Sequence, residues 1–160
     1  MFTMTILAVG KLKEKFYRDA CAEYAKRLSA YCRLEVIELQ EHRLPENPSP
    51  AQIAAGLAKE SEMLRAKIPK GAWVCVLTPE GKPLSSEDFA ERLRTVMTGG
   101  ISSACFILGG SFGLDPSIKA LASLKLSLSS MTFPHHLARV MLLEQLYRAW
   151  TIQAGGRYHK

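Results

Sequence analysis

The chain reads FILGGSFGL over residues 106–114 and LKLSLSSMTFPHH over residues 124–136. In both segments an apolar run of strand length is followed at once by a turn of small residues. Turns of this kind at the carboxyl ends of parallel strands are where an α/β sheet holds a ligand. The two segments therefore predict the class of fold and the place of a site together.

Apolar runs and helical stretches alternate along the rest of the chain. Strands are predicted over residues 4–9, 32–39, 72–77, 103–108 and 124–128, and the segment TPEGKP over residues 78–83 is predicted to end the third one as a turn. Helices are predicted over residues 13–31, 50–68 and 85–98, with a short one from residue 116 and a long one from residue 134 to 155. The alternation predicts an α/β fold in a single domain, residues 1–160, with a mostly parallel sheet and helices on both faces.

Composition and cysteine usage indicate an ordinary globular protein of the cytoplasm. With 160 residues, 48% of them apolar, the chain is long enough to bury a core. Its cysteines are scattered without a Cys-x-x-Cys pair, so we expect reduced thiols and no metal site at Cys21, Cys32, Cys75 and Cys105. Lys11 and Lys13 follow the first apolar run instead of preceding it, and the run is too short to span a bilayer. We therefore expect a first strand there, and no membrane partner.

Positive charge is concentrated towards the end of the chain. The net charge is +6, and from residue 116 onward a single acid, Glu144, stands against six bases: Lys119, Lys125, Arg139, Arg148, Arg157 and Lys160. This asymmetry indicates an anionic partner without identifying it. Glu144 and Arg148 are four apart on the last helix, a spacing that also suits a simple ion pair.

The segment GGSFG over residues 109–113 matches the Gly-x-Ser-x-Gly turn of serine hydrolases. A nucleophilic Ser111 would need an acid and a histidine later in the chain. Asp115 is too near in sequence to come from another strand, and Glu144 falls in the middle of a helix. The hydrolase is therefore the less favoured alternative. A plain strand-to-helix turn, without a site, is a second alternative. We expect instead that Gly109 lets the backbone approach a ligand where a Cβ would clash.

Two further segments carry groups suited to binding. The loop over residues 128–133 offers hydroxyls and backbone amides, and Met131 and Phe133 offer apolar surface for a purine, although a plain connecting loop explains it equally well. The tail RYHK over residues 157–160 combines phosphate-pairing, stacking and titratable side chains, although terminal tails are usually frayed. His135 and His136 are candidate bases or ligands, or structural residues at the start of a helix.

The last helix, residues 137–154, is apolar around most of its circumference. A helix that is apolar on several faces must be covered on several faces, and we expect one domain of this size to cover only one. We therefore predict a homodimer that uses the following side chains: Val140, Met141, Leu142, Leu143, Leu146, Tyr147, Trp150 and Ile152.

Five segments together resemble the ribosomal RNA large-subunit methyltransferase H family, the smallest of the SPOUT, or α/β-knot, methyltransferases. They are ILAVGK (6–11), LGGSFGL (108–114), MTFPH (131–135), EQLYRA (144–149) and YHK (158–160), in the family's order and spacing, although the residue at Phe112 varies within the family. The resemblance implies a deep C-terminal trefoil knot and a homodimer that binds S-adenosylmethionine. It also implies methylation of N3 of a pseudouridine in helix 69 of 23S ribosomal RNA, within the assembled ribosome.

The resemblance also assigns site residues. Cofactor contacts fall on Leu77, Gly109, Leu128, Ser129, Ser130, Met131, Thr132 and Phe133; from the residues alone, Leu77 reads as core. For the reaction, His159 is a candidate proton relay and Tyr158 a candidate positioning group, while Arg148 and Arg157 are candidate phosphate ligands. Transfer of a methyl group from a sulfonium to an imide nitrogen requires no metal. A non-catalytic RNA-binding or ribosome-associated factor remains the alternative from another class.

Overall fold

The computed structural model describes residues 1–160 and contains one five-stranded sheet in the order β2-β1-β4-β3-β5. The strands are β1 (Thr3–Val9), β2 (Arg33–Leu39), β3 (Trp73–Pro83), β4 (Ser103–Leu108) and β5 (Leu124–Ser127). Every neighbouring pair is parallel, so the predicted α/β class is confirmed and the sheet is parallel throughout.

Five helices cover the two faces of this sheet. They are α1 (Lys15–Leu28), α2 (Pro50–Lys67), α3 (Ser86–Thr98), α4 (Pro116–Lys119) and α5 (His135–Gln153). Apolar side chains of α1, α3 and α5 share one core cluster with the sheet, and those of α2 and α4 share the cluster on the opposite face. The predicted covering of both faces is therefore confirmed. The capping box between Ser49 and Gln52, visible in the sequence, begins α2.

The third strand is longer than the sequence indicates. The prediction that residues 78–83 form a turn was wrong, because β3 continues to Pro83 and, after a shift in register, Lys82 and Pro83 pair with Leu126 and Ser127. A Cβ on Gly81 would lie 2.8 Å from the backbone of Leu126. The extension of β3 and the last strand are thus in direct backbone contact. The knot itself remains what the family resemblance implies.

Helix α5 is covered more fully by its own chain than expected. It packs between α1 and α3, and no residue of the helix is exposed in the single chain. The expectation that one domain covers only one side of this helix was wrong. Several apolar side chains nevertheless stay only half-buried, among them Val140, Met141, Tyr147 and Trp150. The homodimer remains a prediction that rests on those residues.

The cysteines are free thiols, as predicted. Cys32, Cys75 and Cys105 are buried, and burial raises the pKa of the Cys32 thiol to about 11. These thiols are therefore protonated at neutral pH and pack as small apolar groups. No helix combines the length and apolar character that a membrane crossing requires.

Candidate functional site

A pocket of about 420 Å³ opens at the carboxyl edge of the sheet, where β4 and β5 end and where β3 shifts its register after Leu77. Of the eight predicted cofactor contacts, seven line it: Leu77, Gly109, Leu128, Ser129, Met131, Thr132 and Phe133. Ser130 belongs to the same loop and does not line the pocket. The three strands are neighbours in the sheet, so residues far apart in sequence converge at one edge. Both small-residue turns therefore form walls of a single cavity, in the place that parallel sheets use for ligands.

The turn after β4 depends on glycine for its own geometry. Gly113 has a φ of +83°, and its N–H donates to the Gly110 carbonyl at 3.1 Å. A Cβ on Gly109 would lie 2.5 Å from the carbonyl carbon of Gly113, far inside van der Waals contact. The expectation that Gly109 makes room for a ligand was therefore incomplete. A side chain at position 109 is excluded first by the turn that follows this residue.

The loop after β5 leaves backbone donors free towards the pocket. Ser129 organises this loop, because its hydroxyl accepts a hydrogen bond from the Met131 N–H at 3.0 Å. The N–H groups of Gly109 and Phe133, two residues that line the pocket and are not exposed, make no hydrogen bond within the chain. Backbone donors seldom stay unpaired when they are covered, so a bound molecule with acceptor atoms fits here.

His135 is the one titratable side chain that lines the pocket. It lies at the first position of α5, with its ring 4.1 Å from that of His136. Burial is the main cause that lowers the pKa of His135 below 6.5; His136 and Arg139 also lower it, and Glu41 opposes the shift. The imidazole is therefore neutral at neutral pH and able to accept a proton. Its sequence position at a helix start did not distinguish this role from a structural one.

Ser111 lacks the partners of a hydrolytic nucleophile. Its hydroxyl makes no hydrogen bond, and its backbone N–H donates to the Glu41 carboxylate at 2.9 Å. The two acids considered for a triad are engaged elsewhere: Asp115 caps α4, and Glu144 binds Arg148 at 2.5 Å. The site therefore does not support the hydrolase alternative. Nothing local in the sequence signals the contact between Glu41 and residue 111, seventy positions later.

The C-terminal tail is folded back against α3 and α5. The Tyr158 hydroxyl donates to Glu144 at 3.1 Å, and the guanidinium of Arg148 lies 4.7 Å from the centre of the Tyr158 ring. His159 contacts Arg148 through Nδ1 at 3.0 Å and Glu87 through Nε2 at 2.6 Å. Neither Tyr158 nor His159 lines the pocket of its own chain.

Titration of this tail network follows from the same contacts. Burial, with hydrogen bonds to Tyr24 and Glu144, raises the pKa of Tyr158 to about 12, so the phenol stays protonated. The hydrogen bond from His159 lowers the pKa of the Glu87 carboxyl. The pair of Glu87 and His159 therefore favours the ionised carboxylate and holds the tail near α3.

The excess of basic residues after position 116 is partly neutralised within the chain. Arg139 is buried and paired with Glu38, Lys119 pairs with Glu80, and Arg148 pairs with Glu144. Lys119 and Arg139 are therefore engaged within the chain, and the anionic partner that the charge asymmetry indicates stays a prediction. The set without an ion-pair partner is Lys125, Arg157 and Lys160. A phosphate contact by Arg148 stays a prediction, and its guanidinium already pairs with the carboxylate of Glu144.

No three His, Cys, Asp or Glu side chains come together in a way that would hold a metal ion. The chemical resources of the pocket are thus apolar walls, free backbone donors, small hydroxyls and one neutral imidazole. This set suits a nucleoside-like ligand, which packs its ring on apolar side chains and pairs its edge with backbone groups.

Comparison with known sequences agrees with this geometry. A family model described as "Predicted SPOUT methyltransferase" matches residues 2–159. A protein named ribosomal RNA large subunit methyltransferase H from Leuconostoc mesenteroides is 46% identical over 97% of this chain and 98% of its own length. Proteins of the same name from Bifidobacterium adolescentis and Carboxydothermus hydrogenoformans are each 47% identical over 98% of this chain and 99% of their own.

Solved structures resemble the fold at low sequence identity. A probable methyltransferase from Bordetella pertussis superimposes with a TM-score of 0.57 at 13% identity, over 92% of this chain and 93% of that one. A probable methylase family protein from Haemophilus influenzae gives a TM-score of 0.53 at 11% identity, over 98% and 70%. At such identities the likeness concerns the fold alone.

Proposed function

Because this chain belongs to the SPOUT methyltransferase family, among the large-subunit methyltransferase H proteins, we propose that it methylates ribosomal RNA with S-adenosylmethionine as donor. The proposed acceptor is N3 of a pseudouridine in helix 69 of 23S ribosomal RNA, within the assembled ribosome. The proposed working form is a homodimer in the cytoplasm.

The pocket at the ends of β4 and β5, beside the register shift of β3, carries this proposal. Its volume of about 420 Å³ falls within the usual range of small-molecule sites. Leu77, Met131 and Phe133 provide apolar surface for a purine, and the free N–H groups of Gly109 and Phe133 suit acceptor atoms on a ring or a carboxylate. These features fit S-adenosylmethionine in size and in chemistry.

The protein's part in the reaction is to position, to exclude water and to take a proton. When bound, S-adenosylmethionine supplies an electrophilic methyl group on a positively charged sulfur. No charged side chain lines the pocket, so no cation repels that charge. The pocket walls would hold the donor, and the open side of the pocket would admit the acceptor nitrogen. The imide proton of the acceptor then needs a base.

His135 is the group at the pocket that meets this need. It is neutral at neutral pH and lies at the edge of the cavity. His159 and Tyr158 were the candidates from the family resemblance, and in their own chain they lie outside the pocket. Their proposed role therefore requires the tail either to leave its present contacts or to serve the pocket of a second subunit. Arg157, exposed and unpaired, is the proposed phosphate ligand of that tail.

Two measurements on the purified protein test the proposal. Calorimetry should detect binding of S-adenosylmethionine, and mass spectrometry of nucleosides should detect a new methyl group on N3 of pseudouridine after incubation with ribosomes that lack it. A non-catalytic RNA-binding factor would bind the ribosomes and not the donor. Donor binding with methylation of a different base would contradict the proposed acceptor and retain the enzyme class.

A further inference from the structure

A second concavity lies beside the pocket, at the ends of β1 and β2. It measures about 990 Å³ and is mainly polar, and we name it the polar groove. Its walls come from residues 10–14, residues 38–45, the turn at residues 111–112 and the start of α5. Ser111 and His135 line both the pocket and the groove. A molecule that lies in the groove therefore touches the same two residues as the occupant of the pocket.

Unpaired positive charge faces the polar groove. Lys11, Lys13 and Arg43 line it, all are exposed, and none is within ion-pair distance of a carboxylate in the chain. Exposed cations without partners bind phosphates with the least rearrangement.

The three carboxylates of the groove are each engaged with the protein. Glu38 binds Arg139, Glu41 accepts the Ser111 N–H, and Glu14 lies 3.9 Å from His136. Of these contacts, the ion pair with Arg139 neutralises the charge of Glu38. The unpaired cations Lys11, Lys13 and Arg43 then outnumber the two remaining carboxylates, and this small excess of positive charge favours a polyanion.

An aromatic side chain stands at the boundary of the groove. Phe112 lines it and is 48% exposed, an unusual exposure for a phenylalanine. It follows Ser111, the residue that the groove shares with the pocket. An unstacked base packs on an exposed aromatic ring of this kind, which stabilises single-stranded RNA at a protein surface.

We propose that the polar groove binds the RNA strand that carries the methyl acceptor, with Lys11, Lys13 and Arg43 on its phosphates and Phe112 against a base. The inference rests on the proposed function and adds a location for the substrate. The strand runs along the ends of β1 and β2, and the acceptor base passes Ser111 and His135 to reach the pocket. Donor and acceptor thus approach from opposite sides of the turn after β4.

The test removes the three groove charges and compares a matched variant. The groove variant is Lys11→Gln, Lys13→Gln, Arg43→Gln; the control is Lys67→Gln, Lys70→Gln, Arg33→Gln. The control residues are exposed, unpaired and located towards the amino ends of the strands, away from the groove, and both variants lose two lysines and one arginine. Binding of each protein to ribosomes that lack the methyl group is measured over a series of salt concentrations.

We expect the groove variant alone to bind ribosomes more weakly. The slope of its log affinity against log salt concentration should be shallower by about 2. Each lost phosphate contact with a single strand removes roughly 0.7 from that slope. Phe112→Ala should lower kcat/KM for ribosomes without changing that slope, and Phe112→Trp should restore it. Equal losses in the groove and control variants, or no loss in either, would overturn the proposal.

Calorimetry with S-adenosylmethionine separates this inference from the proposed function. The groove variant should bind the donor as the unaltered protein does, because none of the three cations lines the pocket. Failure of the unaltered protein to bind the donor would overturn the proposed function. Normal donor binding with unaltered ribosome binding in the groove variant would overturn the groove alone.

Discussion

Arg139 donates a hydrogen bond of 2.5 Å to the carboxylate of Glu38, 101 positions earlier in the chain. The other end of the guanidinium donates to the Gly10 carbonyl at 3.0 Å. The arginine side chain is buried, so these contacts attach the start of α5 to the ends of β1 and β2. The same contacts fix the boundary between the pocket and the polar groove, where His135 lies.

Replacing Glu38 by glutamine should destabilise the protein. The change leaves the buried guanidinium of Arg139 without a charged partner, and we expect the free energy of unfolding to fall by about 1–2 kcal/mol. The effect is below that of a fully buried pair because the Glu38 side chain is 37% exposed. Urea denaturation measures it, with Glu35→Gln on the same strand as the control, since Glu35 is exposed and unpaired. Equal stabilities of the two variants would contradict the structural role of the pair.

Alanine at Gly109 should damage the turn itself as well as donor binding. Its Cβ meets the backbone of Gly113, whereas a Cβ on Gly100 meets nothing within 4 Å. Gly100→Ala therefore suffers only from its left-handed φ of +88°, about 1–2 kcal/mol, and Gly109→Ala should destabilise by more than that. Denaturation of both variants, with calorimetry on S-adenosylmethionine, makes the comparison. A Gly109→Ala protein of full stability would show that the turn adapts.

Loss of the imidazole at position 135 should slow methylation without weakening donor binding greatly. Burial lowers the pKa of His135 below 6.5, so the group accepts protons at neutral pH and loses this ability as the pH falls through its lowered pKa. The single-turnover rate of the unaltered protein should therefore decline on acidification. His135→Gln should have a lower rate at pH 7 and lose the inflection at the His135 pKa, and its rate should instead rise steadily with pH because the imide ionises without help.

His136→Gln is the matched control for that experiment. The His136 ring lies beside that of His135 at an interplanar angle of 60°, and it lines the polar groove but not the pocket. Its removal should leave the pH profile of methylation largely in place. If the two variants behave alike, His135 is not the proton acceptor.

Deletion of residues 157–160 should reduce turnover on ribosomes more than affinity for the donor. The tail contacts Glu144, Arg148 and Glu87 and does not reach the pocket of its own chain. Single-turnover methylation and donor calorimetry on the truncated protein measure the two effects. If His159 relays the proton, His159→Ala lowers the rate and a rise in pH partly restores it, because the imide then ionises without help. An unchanged rate after truncation would leave the tail without a catalytic part.

Light scattering at micromolar concentration should give twice the 17.7 kDa mass of one chain. The physical reason is the row of half-buried apolar side chains on α5, which its own chain covers incompletely. Met141→Arg should produce a monomer, while Met63→Arg on the exposed face of α2 should not. A monomeric mass for the unaltered protein would contradict the predicted assembly.

Local signals in the sequence predicted most elements of the fold. The run over residues 103–108 is apolar and lies between two diglycine pairs, and β4 has those bounds in the structure. The extension of β3 was missed because Pro79, Gly81 and Pro83 favour a turn locally. Its pairing with β5 depends on a strand more than forty residues later, and nothing in the local sequence indicates it.

The site was predicted as two turns and not as one cavity. Small residues after β4 and β5 indicated both walls, but only the strand order makes them neighbours of Leu77. The partner of Arg139 was not predicted, for a related reason. A base on a helix indicates a contact with an anion, and that anion is Glu38 of the same chain, at a distance in sequence that no periodicity reveals.

The pocket offers its occupant main-chain N–H groups, and this has a consequence for mutational scanning and for inhibitors. Truncating a side chain leaves its N–H in place, so an alanine scan of residues 128–133 should detect the positions that pack on the ligand or organise the loop, Ser129, Met131 and Phe133, and miss the main-chain donors. The affinity of a competitive inhibitor that pairs with the same N–H groups would likewise be insensitive to truncation of the side chains. Few single substitutions would lower its affinity without also disturbing the turns on which the natural ligand depends, which limits the routes to resistance.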